Sequence, residues 1–376
     1  MAGYDVVVVS RGWWPLVKGG AERFAARVAE ELASLGLRVA GVTIAPWRRR
    51  LLGGVTVYGV RAPRAPVLGS YLFSRLAAGL VNRLRPRAVL VNAYWGETAP
   101  LYIRREVRVV AVVHDLGLLH SPLARRQRLR HWLRMRALRG LARRADAFLV
   151  PTEPVARDLV EHFAVPWERV RVLGFEGIEA PMRRLHVENR WFDVVQVARF
   201  SPNKGQHVVI EAARILLGET RWARGELRVL LVGGLTDRGY YERLRRLAEE
   251  LNRMAGRSVV ELVADAESVD PYYRVADACV AASIAEEGYG LTVEECMGYG
   301  KPVAASDLFK ELGRVDEETG YVFPRGDARA LARVLERIHD NPGEALEKAM
   351  KGLERVKDHT WRRVAEEARK LLLPEE

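Results

Sequence analysis

The chain alternates between short β-branched segments and amphipathic helical segments, and it does so in two blocks. The predicted strands are 5–10, 37–43, 55–60, 88–92, 107–114 and 147–150 in the first block, and 192–198, 227–233, 259–263, 278–282 and 303–305 in the second. These runs show little polar–apolar alternation, as expected for strands buried on both faces of a parallel sheet. With helical periodicity between them, they predict an α/β protein with two doubly wound, Rossmann-like parallel sheets.

A length of 376 residues exceeds one compact core and suits two domains. The irregular, charged stretch 176–190 is predicted to be the linker. We therefore expect an N-terminal domain at 1–178, a C-terminal domain at 179–357, and a final helix in 358–376 that packs back on the first domain. Ligands of such sheets lie at the carboxyl ends of the strands, so a cleft between two facing domains is the expected site.

Composition narrows the possible locations of the protein. No apolar run approaches the length of a membrane span, and residues 4–10 read as a first strand and not as a signal peptide. The two cysteines, Cys279 and Cys296, make neither a disulfide framework nor a metal-site spacing, which predicts a cytoplasmic, reducing environment. Sparse Asn and Gln fit a heat-adapted, thermophilic source.

The formal net charge of +12 has three interpretations. It can reflect a generally arginine-rich composition, attraction to anionic lipid or an acidic substrate, or nucleic-acid binding. Arginine is dense at 125–144, where interleaved apolar residues would allow peripheral contact with an anionic membrane on its inner face. No aromatic–basic pattern of an RNA-binding module is present, so nucleic acid is not expected as a partner.

A glycine-rich turn between two carboxylates is the clearest functional motif of the second block. Glu287 and Glu295 flank Gly288-Tyr289-Gly290-Leu291-Thr292, which leads into a predicted helix. Glycine lets a backbone approach a ligand closely, and a helix start offers free N–H groups to phosphate oxygens. Glu286 and Glu294 have the same spacing, but the glycine directly after Glu287 favours the pair Glu287 and Glu295.

Two cations follow the first strand of the second block. Arg199 and Lys204 lie on one short turn, with Gly205 after them at a helix start. Arginine grips phosphate with two parallel hydrogen bonds and lysine adds a point charge, so we predict a phosphate site in preference to a solvated loop.

The first block contributes a glycine pair and a histidine. Gly19 and Gly20 lie between the first strand and the first helix, where they form either a plain turn or a ligand-facing helix start; they lack dinucleotide-fingerprint spacing. His114, followed by Asp115, ends another strand. It has no partner at metal-ligand spacing, so no metal site is expected.

Together with Gly300-Lys301-Pro302-Val303 and Trp361, these motifs resemble the retaining glycosyltransferases of group 1, family four, which have the two-domain GT-B fold. The resemblance implies a nucleoside-diphosphate sugar as donor substrate, with no cofactor and no metal. It implies that Arg199 and Lys204 neutralise the diphosphate, that Glu295 binds the ribose, and that Glu287 contacts the transferred sugar. It further implies catalytic roles for His114, Glu287, Arg199 and Lys204, and donor contacts from Gly19, Gly20, Gly288, Tyr289, Gly290, Leu291 and Thr292.

The expected activity is therefore hexosyl transfer, with retention, from a UDP-, GDP- or ADP-sugar to a hydroxyl acceptor. The acceptor stays open among a sugar, a polysaccharide, a lipid-linked sugar and a small molecule. The alternatives are a sugar-nucleotide epimerase of the same fold and a non-catalytic polyanion- or lipid-binding protein. A glycosidase that uses two carboxylates is a further alternative, but such an enzyme binds no diphosphate and would not need Arg199 and Lys204.

Overall fold

A computed structural model describes residues 3–17, 19–63, 65–93, 96–116, 128–174, 177–178, 180–285 and 289–374. The chain divides into two compact units. The N-terminal unit is Met1–Gly177 with Thr360–Glu376, and the C-terminal unit is Ile178–His359.

An eight-stranded sheet forms the centre of the N-terminal unit. Its strands are β1 (Val6–Val9), β2 (Val39–Ile44), β3 (Arg49–Leu52), β4 (Val55–Val60), β5 (Ala88–Asn92), β6 (Arg108–Val112), β7 (Ala147–Val150) and β8 (Val170–Val172). Their order is β3-β4-β2-β1-β5-β6-β7-β8. The first strand lies between β2 and β5, so the direction in which strands are added reverses there, and this is where open α/β sheets bind ligands.

The edge strand β3 is antiparallel to β4, whereas the other strand pairs of this sheet are parallel. Gly53 and Gly54 join the two strands with φ angles of 54° and 78°. A two-residue hairpin turn that matches strand twist needs positive φ at both positions, which glycine supplies without strain. The predicted parallel sheet therefore carries one antiparallel edge strand, a common feature of such folds.

Helices cover both faces of this sheet. They are α1 (Gly20–Ser34), α2 (Pro66–Leu84), α3 (Arg128–Arg144) and α4 (Glu153–Phe163), with a 3₁₀ turn at Ala99–Tyr102. Successive residues of a strand point to opposite faces. Accordingly, Val7 and Val9 join the core beneath α2, α3 and α4, whereas Val6 and Val8 join the core beneath α1.

A six-stranded parallel sheet forms the centre of the C-terminal unit. Its strands are β9 (Phe192–Val197), β10 (Leu227–Gly233), β11 (Val260–Ala264), β12 (Ala278–Ala281), β13 (Val303–Ser306) and β14 (Tyr321–Phe323). The order β11-β10-β9-β12-β13-β14 reverses between β9 and β12. The predicted pair of doubly wound α/β sheets is thus confirmed.

The helices of the C-terminal unit are α5 (Gln206–Glu219), α6 (Arg221–Glu226), α7 (Arg238–Ala255), α8 (Asp270–Val275), α9 (Leu291–Gly298), α10 (Asp307–Glu311), α11 (Ala328–Asp340) and α12 (Pro342–Val356). The last helix, α13 (Trp361–Leu372), belongs to the N-terminal unit. There the ring of Trp361 lies 6.2 Å from that of Phe24 in α1, edge to face.

A buried lysine anchors the amino-terminal edge of the C-terminal sheet. Lys301, 2% exposed, donates hydrogen bonds of 2.8 Å to the carbonyls of Arg274 and Ala276, and its Nζ lies 2.9 Å from Nδ1 of His186. Burial lowers the pKa of Lys301 to about 8. The Gly-Lys-Pro-Val motif therefore joins the segment that enters this unit to the sheet, at the edge opposite the carboxyl ends of the strands.

A disulfide joins Cys279 of β12 to Cys296 of α9, with Cα atoms 6.4 Å apart and both side chains buried. The expectation that the two cysteines form no disulfide is wrong. It failed because a separation of 17 residues hides the packing of α9 directly on β12. Cysteine usage consequently no longer argues for a reducing compartment.

Removing this disulfide should weaken the C-terminal unit. We expect the Cys279→Ala, Cys296→Ala variant to lose about 3 kcal/mol of unfolding free energy, because the bond restricts the unfolded chain across the intervening loop. Guanidinium unfolding under oxidising conditions measures the loss. Wild-type protein in excess reductant is the matched control and should unfold at the same midpoint as the variant. Equal midpoints for the variant and the oxidised wild type would show that the bond contributes no stability.

Candidate functional site

The loops that follow β9 and β12 lie side by side at the carboxyl edge of the C-terminal sheet. The N–H of Ile284, in the second loop, donates to the carbonyl of Asn203, in the first, at 2.8 Å. The side-chain amide of Asn203 also reaches the carbonyl of Ala285 at 3.4 Å. These contacts bring the two loops together at the point where the strand order reverses.

Gly205 makes this approach possible. Its φ angle is 68°, and a Cβ at this position would collide with the carbonyl oxygen of Ala282. Glycine alone combines the left-handed conformation with the absence of a side chain at no steric cost. The turn that carries Arg199 and Lys204 therefore abuts the exit of β12.

Two buried glutamines support the turn that carries the predicted cations. The amide of Gln196 donates to the carbonyl of Lys204 at 2.7 Å, and the amide of Gln206 donates to the carbonyl of Arg199 at 2.9 Å. Arg199 itself is exposed and Lys204 is partly buried. Both cations thus lie on one braced turn at the carboxyl edge, which is an arrangement suited to an anion.

Helix α9 begins at Leu291, at the end of the glycine-rich loop that follows β12. Gly290 precedes the helix with a φ of 93°, and a Cβ there would lie 2.8 Å from the ring of Phe309. No side chain among the described residues caps this helix. The N–H of Val293 donates to the carbonyl of Gly290 at 3.0 Å, whereas those of Leu291 and Thr292 meet no acceptor among the described residues and are available to an anionic ligand. Glu287 and Gly288, also predicted as site residues, lie outside the described residues.

The two adjacent glutamates of α9 have different environments. Glu295 is 5% exposed, and the hydroxyl of Tyr273 in α8 donates to it at 3.1 Å. Tyr273 in turn stacks on Tyr299, with ring centroids 5.0 Å apart. A hydrogen-bonded carboxylate one turn into a ligand-facing helix is a geometry suited to accepting hydrogen bonds from hydroxyls.

Glu294 acts as an internal anchor. It accepts hydrogen bonds from Tyr289 at 3.0 Å and Arg314 at 2.9 Å, and lies 3.2 Å from Nδ1 of His359. Burial raises the pKa of Glu294, but the hydrogen bond with His359 and the charge of Arg314 outweigh burial and lower it overall. The sequence did not single out this role, because Arg314 and His359 are distant from Glu294 along the chain. Glu294 ties Tyr289, and with it the end of the glycine-rich loop, to the core.

The N-terminal unit carries its own predicted residues at the reversal between β1 and β5. Helix α1 begins at Gly20, after Gly19, and His114 follows β6. The amide of Asn92, the last residue of β5, donates to the carbonyl of Ala21 at 2.8 Å and to the hydroxyl of Ser10 at 3.1 Å. Asn92 thus connects the start of α1 with the end of β5. In the sequence it is only a polar residue at the end of an apolar strand, so its role could not be predicted there.

Asn92 also determines the protonation pattern of His114. Its amide nitrogen is occupied, so its Oδ1, 2.5 Å from Nε2 of His114, accepts the proton that Nε2 carries. Nδ1 is then the acceptor side of the ring. Burial lowers the pKa of His114 to about 3, so the imidazole is neutral at physiological pH. The ring of Phe24 holds it edge to face at 5.6 Å.

Gly20 leaves the first turn of α1 uncovered. A Cβ at this position would meet no described atom within 4 Å, so internal packing does not require glycine there. The helix start has no side-chain cap among the described residues. The N-terminal unit therefore groups the start of α1 and His114 around Asn92, and the C-terminal unit places the turn with Arg199 and Lys204 against the loop that leaves β12.

Comparison with known proteins identifies both units. A model described as Glycosyltransferase Family 4 matches residues 18–174, and one described as Glycosyl transferases group 1 matches residues 192–341. The D-inositol 3-phosphate glycosyltransferase of Acidothermus cellulolyticus is 28% identical, with alignment to 86% of this chain and 79% of its own. The Thermobispora bispora protein of the same name is also 28% identical, with 86% and 82% covered.

Solved structures share the architecture. The sucrose-phosphate synthase of Thermosynechococcus elongatus superposes with a TM-score of 0.79 at 21% identity, over 97% of each chain. Anabaena HepE, solved in complex with UDP, gives 0.76 at 16% identity, over 98% of this chain and 99% of its own. The resemblance expected from the motifs is confirmed. With one model matching most of each unit and the fold shared along its length, the chain belongs to the group 1 glycosyltransferases of the GT-B fold and is an enzyme of that class.

Proposed function

We propose that this enzyme transfers a hexose from a nucleoside-diphosphate sugar to a hydroxyl acceptor, with retention of anomeric configuration. One observation carries the proposal: the turn with Arg199 and Lys204 adjoins the loop leading to the uncapped start of α9 at the strand-order reversal of the C-terminal sheet. Two cations and a set of free N–H groups form a receptor for a diphosphate.

These groups would act most strongly as the donor breaks. The bond from the anomeric carbon to the diphosphate oxygen cleaves, and a bond from that carbon to the acceptor oxygen forms on the same face. The acceptor proton passes to a donor phosphate oxygen. Negative charge grows on the departing diphosphate, so pre-positioned donors and cations stabilise the transition state more than the ground state.

The carboxylates would orient the two ends of the donor. Glu295, held by Tyr273, would accept hydrogen bonds from the ribose hydroxyls. Glu287 would contact the transferred sugar. Glu294 is a positioning residue in this scheme, because its bond to Tyr289 holds the loop between these two glutamates.

The N-terminal residues would serve the sugar and the diphosphate from their own unit. His114, which is neutral and is oriented by Asn92, would contact the transferred sugar. The uncovered backbone at Gly20, and with it the neighbouring Gly19, would contact the diphosphate at the uncapped start of α1.

Similar proteins narrow the substrates worth testing first. Anabaena HepE has been solved with UDP and with UDP-glucose, which makes UDP-sugars the first donors to screen, before GDP- and ADP-sugars. The curated relatives are named for D-inositol 3-phosphate, so a phosphorylated polyol belongs in the acceptor panel beside sugars and lipid-linked sugars. We propose that no divalent metal is needed, because fixed cations and amides would balance the diphosphate charge.

Removing either cation should impair transfer. We expect Arg199→Ala and Lys204→Ala each to lower the turnover rate by about a hundredfold or more, since each removes a group that stabilises the leaving diphosphate. Transfer from the preferred donor, and the thermal stabilisation by the matching nucleoside diphosphate, provide the two readouts. Addition of EDTA should leave the wild-type rate unchanged.

Arg246→Ala is the matched control, because Arg246 is exposed on α7. It should behave as wild type in both assays. Wild-type turnover in both Arg199→Ala and Lys204→Ala would refute the diphosphate clamp. A product with inverted anomeric configuration, detected by NMR, would refute retention alone. Conversion of the donor with no acceptor present would favour an epimerase.

The buried neutral His114 should make stability depend on pH. Its folded-state pKa of about 3 lies below its ordinary value, so below about pH 6.5 the unfolded chain binds a proton that the folded chain does not. The free energy of unfolding is therefore unaffected by His114 above that pH. It decreases as pH falls from about 6.5 toward 3, by up to about 1.4 kcal/mol per pH unit. Guanidinium unfolding at several pH values measures this slope, and His114→Gln should flatten it.

His162→Gln is the control, because His162 is an exposed histidine of α4 in the same unit. Its pH profile should follow the wild type. Parallel profiles for the wild type and His114→Gln would contradict the assignment of a buried, neutral imidazole.

A further inference from the structure

The excess of positive over negative charge in this protein lies in one segment. Residues 61–144 contain 18 arginines and no lysine, against three acidic residues, Glu97, Glu106 and Asp115, for a net charge of +15. The whole chain carries +12, so all other residues together sum to −3. A generally arginine-rich composition does not produce this distribution. The charge is a property of one part of the N-terminal unit and requires a local explanation.

Two helices and a short turn of this segment pack together on one side of the N-terminal sheet. Helices α2 and α3 cover the same face of the N-terminal sheet, and the 3₁₀ turn Ala99–Tyr102 packs against both. The hydroxyl of Tyr102 donates to that of Tyr71 in α2 at 3.0 Å. Leu101 lies against Gly140 of α3, where an added Cβ would be 3.1 Å from its side chain. We call the solvent side of α2, this turn and α3 the arginine face.

Helix α3 presents its cations in a single row. Trp132, Arg136, Arg139 and Arg143 are exposed at helical spacing, whereas Leu138 and Leu141 are buried in the core. The guanidinium of Arg136 lies over the indole of Trp132, 5.6 Å from its centroid. Neither α2 nor α3 contains an acidic residue. Glu97 is buried and pairs with Arg134 at 3.7 Å, so it does not offset the exposed row.

Large apolar side chains are interleaved with these cations. Leu68 is 64% exposed, Trp132 53% and Leu101 49%, and Tyr71 and Leu76 are also exposed. Exposure of leucine side chains to water is unfavourable, so a surface that exposes several of them is suited to an apolar partner. Single-stranded nucleic acid binds by stacking its bases on aromatic side chains, which gives the exposed leucines no role. At a bilayer surface, leucine and tryptophan enter the boundary between headgroups and acyl chains while arginines pair with lipid phosphates.

We propose that the arginine face docks on the surface of a bilayer containing anionic phospholipids. The attachment is peripheral: of the helices described, none is long and apolar enough to cross a membrane. Cations supply the attraction to the charged surface, and the leucines and Trp132 supply apolar burial once contact is made. The proposal is independent of donor binding, because it uses none of the residues proposed to bind the donor.

Co-sedimentation of the full chain with lipid vesicles tests the proposal. The wild type should bind vesicles of phosphatidylcholine with phosphatidylglycerol and should not bind phosphatidylcholine alone. Neutralising the row, with Arg136→Gln, Arg139→Gln and Arg143→Gln together, should weaken binding by roughly a hundredfold, because each cation near the surface contributes substantially to attraction. Raised salt should weaken wild-type binding by screening.

The matched control removes the same charge elsewhere. Arg243→Gln, Arg246→Gln and Arg253→Gln together neutralise three exposed arginines of α7 and should leave vesicle binding unchanged. Trp132→Ala with Leu101→Ala keeps every charge and should reduce the binding that survives raised salt. Circular dichroism, and stabilisation by a nucleoside diphosphate, verify that each variant is folded and separate this test from that of the donor site.

Three results would overturn the proposal. The first is equal binding to anionic and neutral vesicles, and the second is wild-type vesicle binding by the α3 triple variant. The third is displacement of the protein from anionic vesicles by a mixed-sequence single-stranded RNA that binds more tightly and depends on the same arginines, which would make nucleic acid the partner. Failure of nucleoside diphosphates to stabilise the wild type would refute the donor site and leave the membrane proposal intact.

Discussion

A backbone contact governs the arrangement of the C-terminal site: the turn at Gly205 lies directly against the carbonyl oxygen of Ala282. Strands β9 and β12 are parallel neighbours, so the loops that leave them emerge at the same edge and compete for space. Because Gly205 has no side chain and adopts a left-handed conformation, the two loops can pack closely, and the hydrogen bond from Ile284 to Asn203 joins them. Any side chain at 205 would push away the turn that carries Lys204. The position of the cation follows from this backbone contact together with the amides of Gln196 and Gln206, which hold the turn from the core.

The sequence predicted the interior strands well, whereas three of the four edge strands were missed. Strands β4, β5, β7 and β10 begin and end at the predicted residues, since burial inside a parallel sheet favours apolar runs. The edge strands β3 and β8 were not predicted, because they are short, largely exposed and contain arginine, and an edge needs no second apolar face. The edge strand β14 was also missed, although Tyr321 and Phe323 are buried, because three residues are too few to show a pattern. The longer edge strand β11 was predicted to within one residue.

Site residues divide in a comparable way. Arg199, Lys204 and the glycine-rich loop could be proposed from the sequence because their chemistry is local: charge or glycine next to a strand end. Glu294 and Asn92 were not, because their roles depend on distant partners that only the fold brings close. The motif around Lys301 was recognised as a pattern, yet its lysine is buried at the opposite edge of the sheet, where it binds carbonyls. A sequence motif therefore identifies residues that matter, but it does not distinguish a residue that binds a ligand from one that stabilises the fold.

Net charge also separates the tasks of the two units. The C-terminal unit has 27 Lys and Arg against 31 Asp and Glu, a net charge of −4, although its proposed ligand is an anion. A diffuse field of that sign would repel a diphosphate, so attraction there has to be short-ranged and built from a few fixed groups, where screening by salt is weak. The arginine face has the opposite character. Its arginines would act together on an extended charged surface such as a bilayer. The two proposed ligands therefore differ in the charge they require, which is consistent with a net negative C-terminal unit and an excess of arginine in the N-terminal unit.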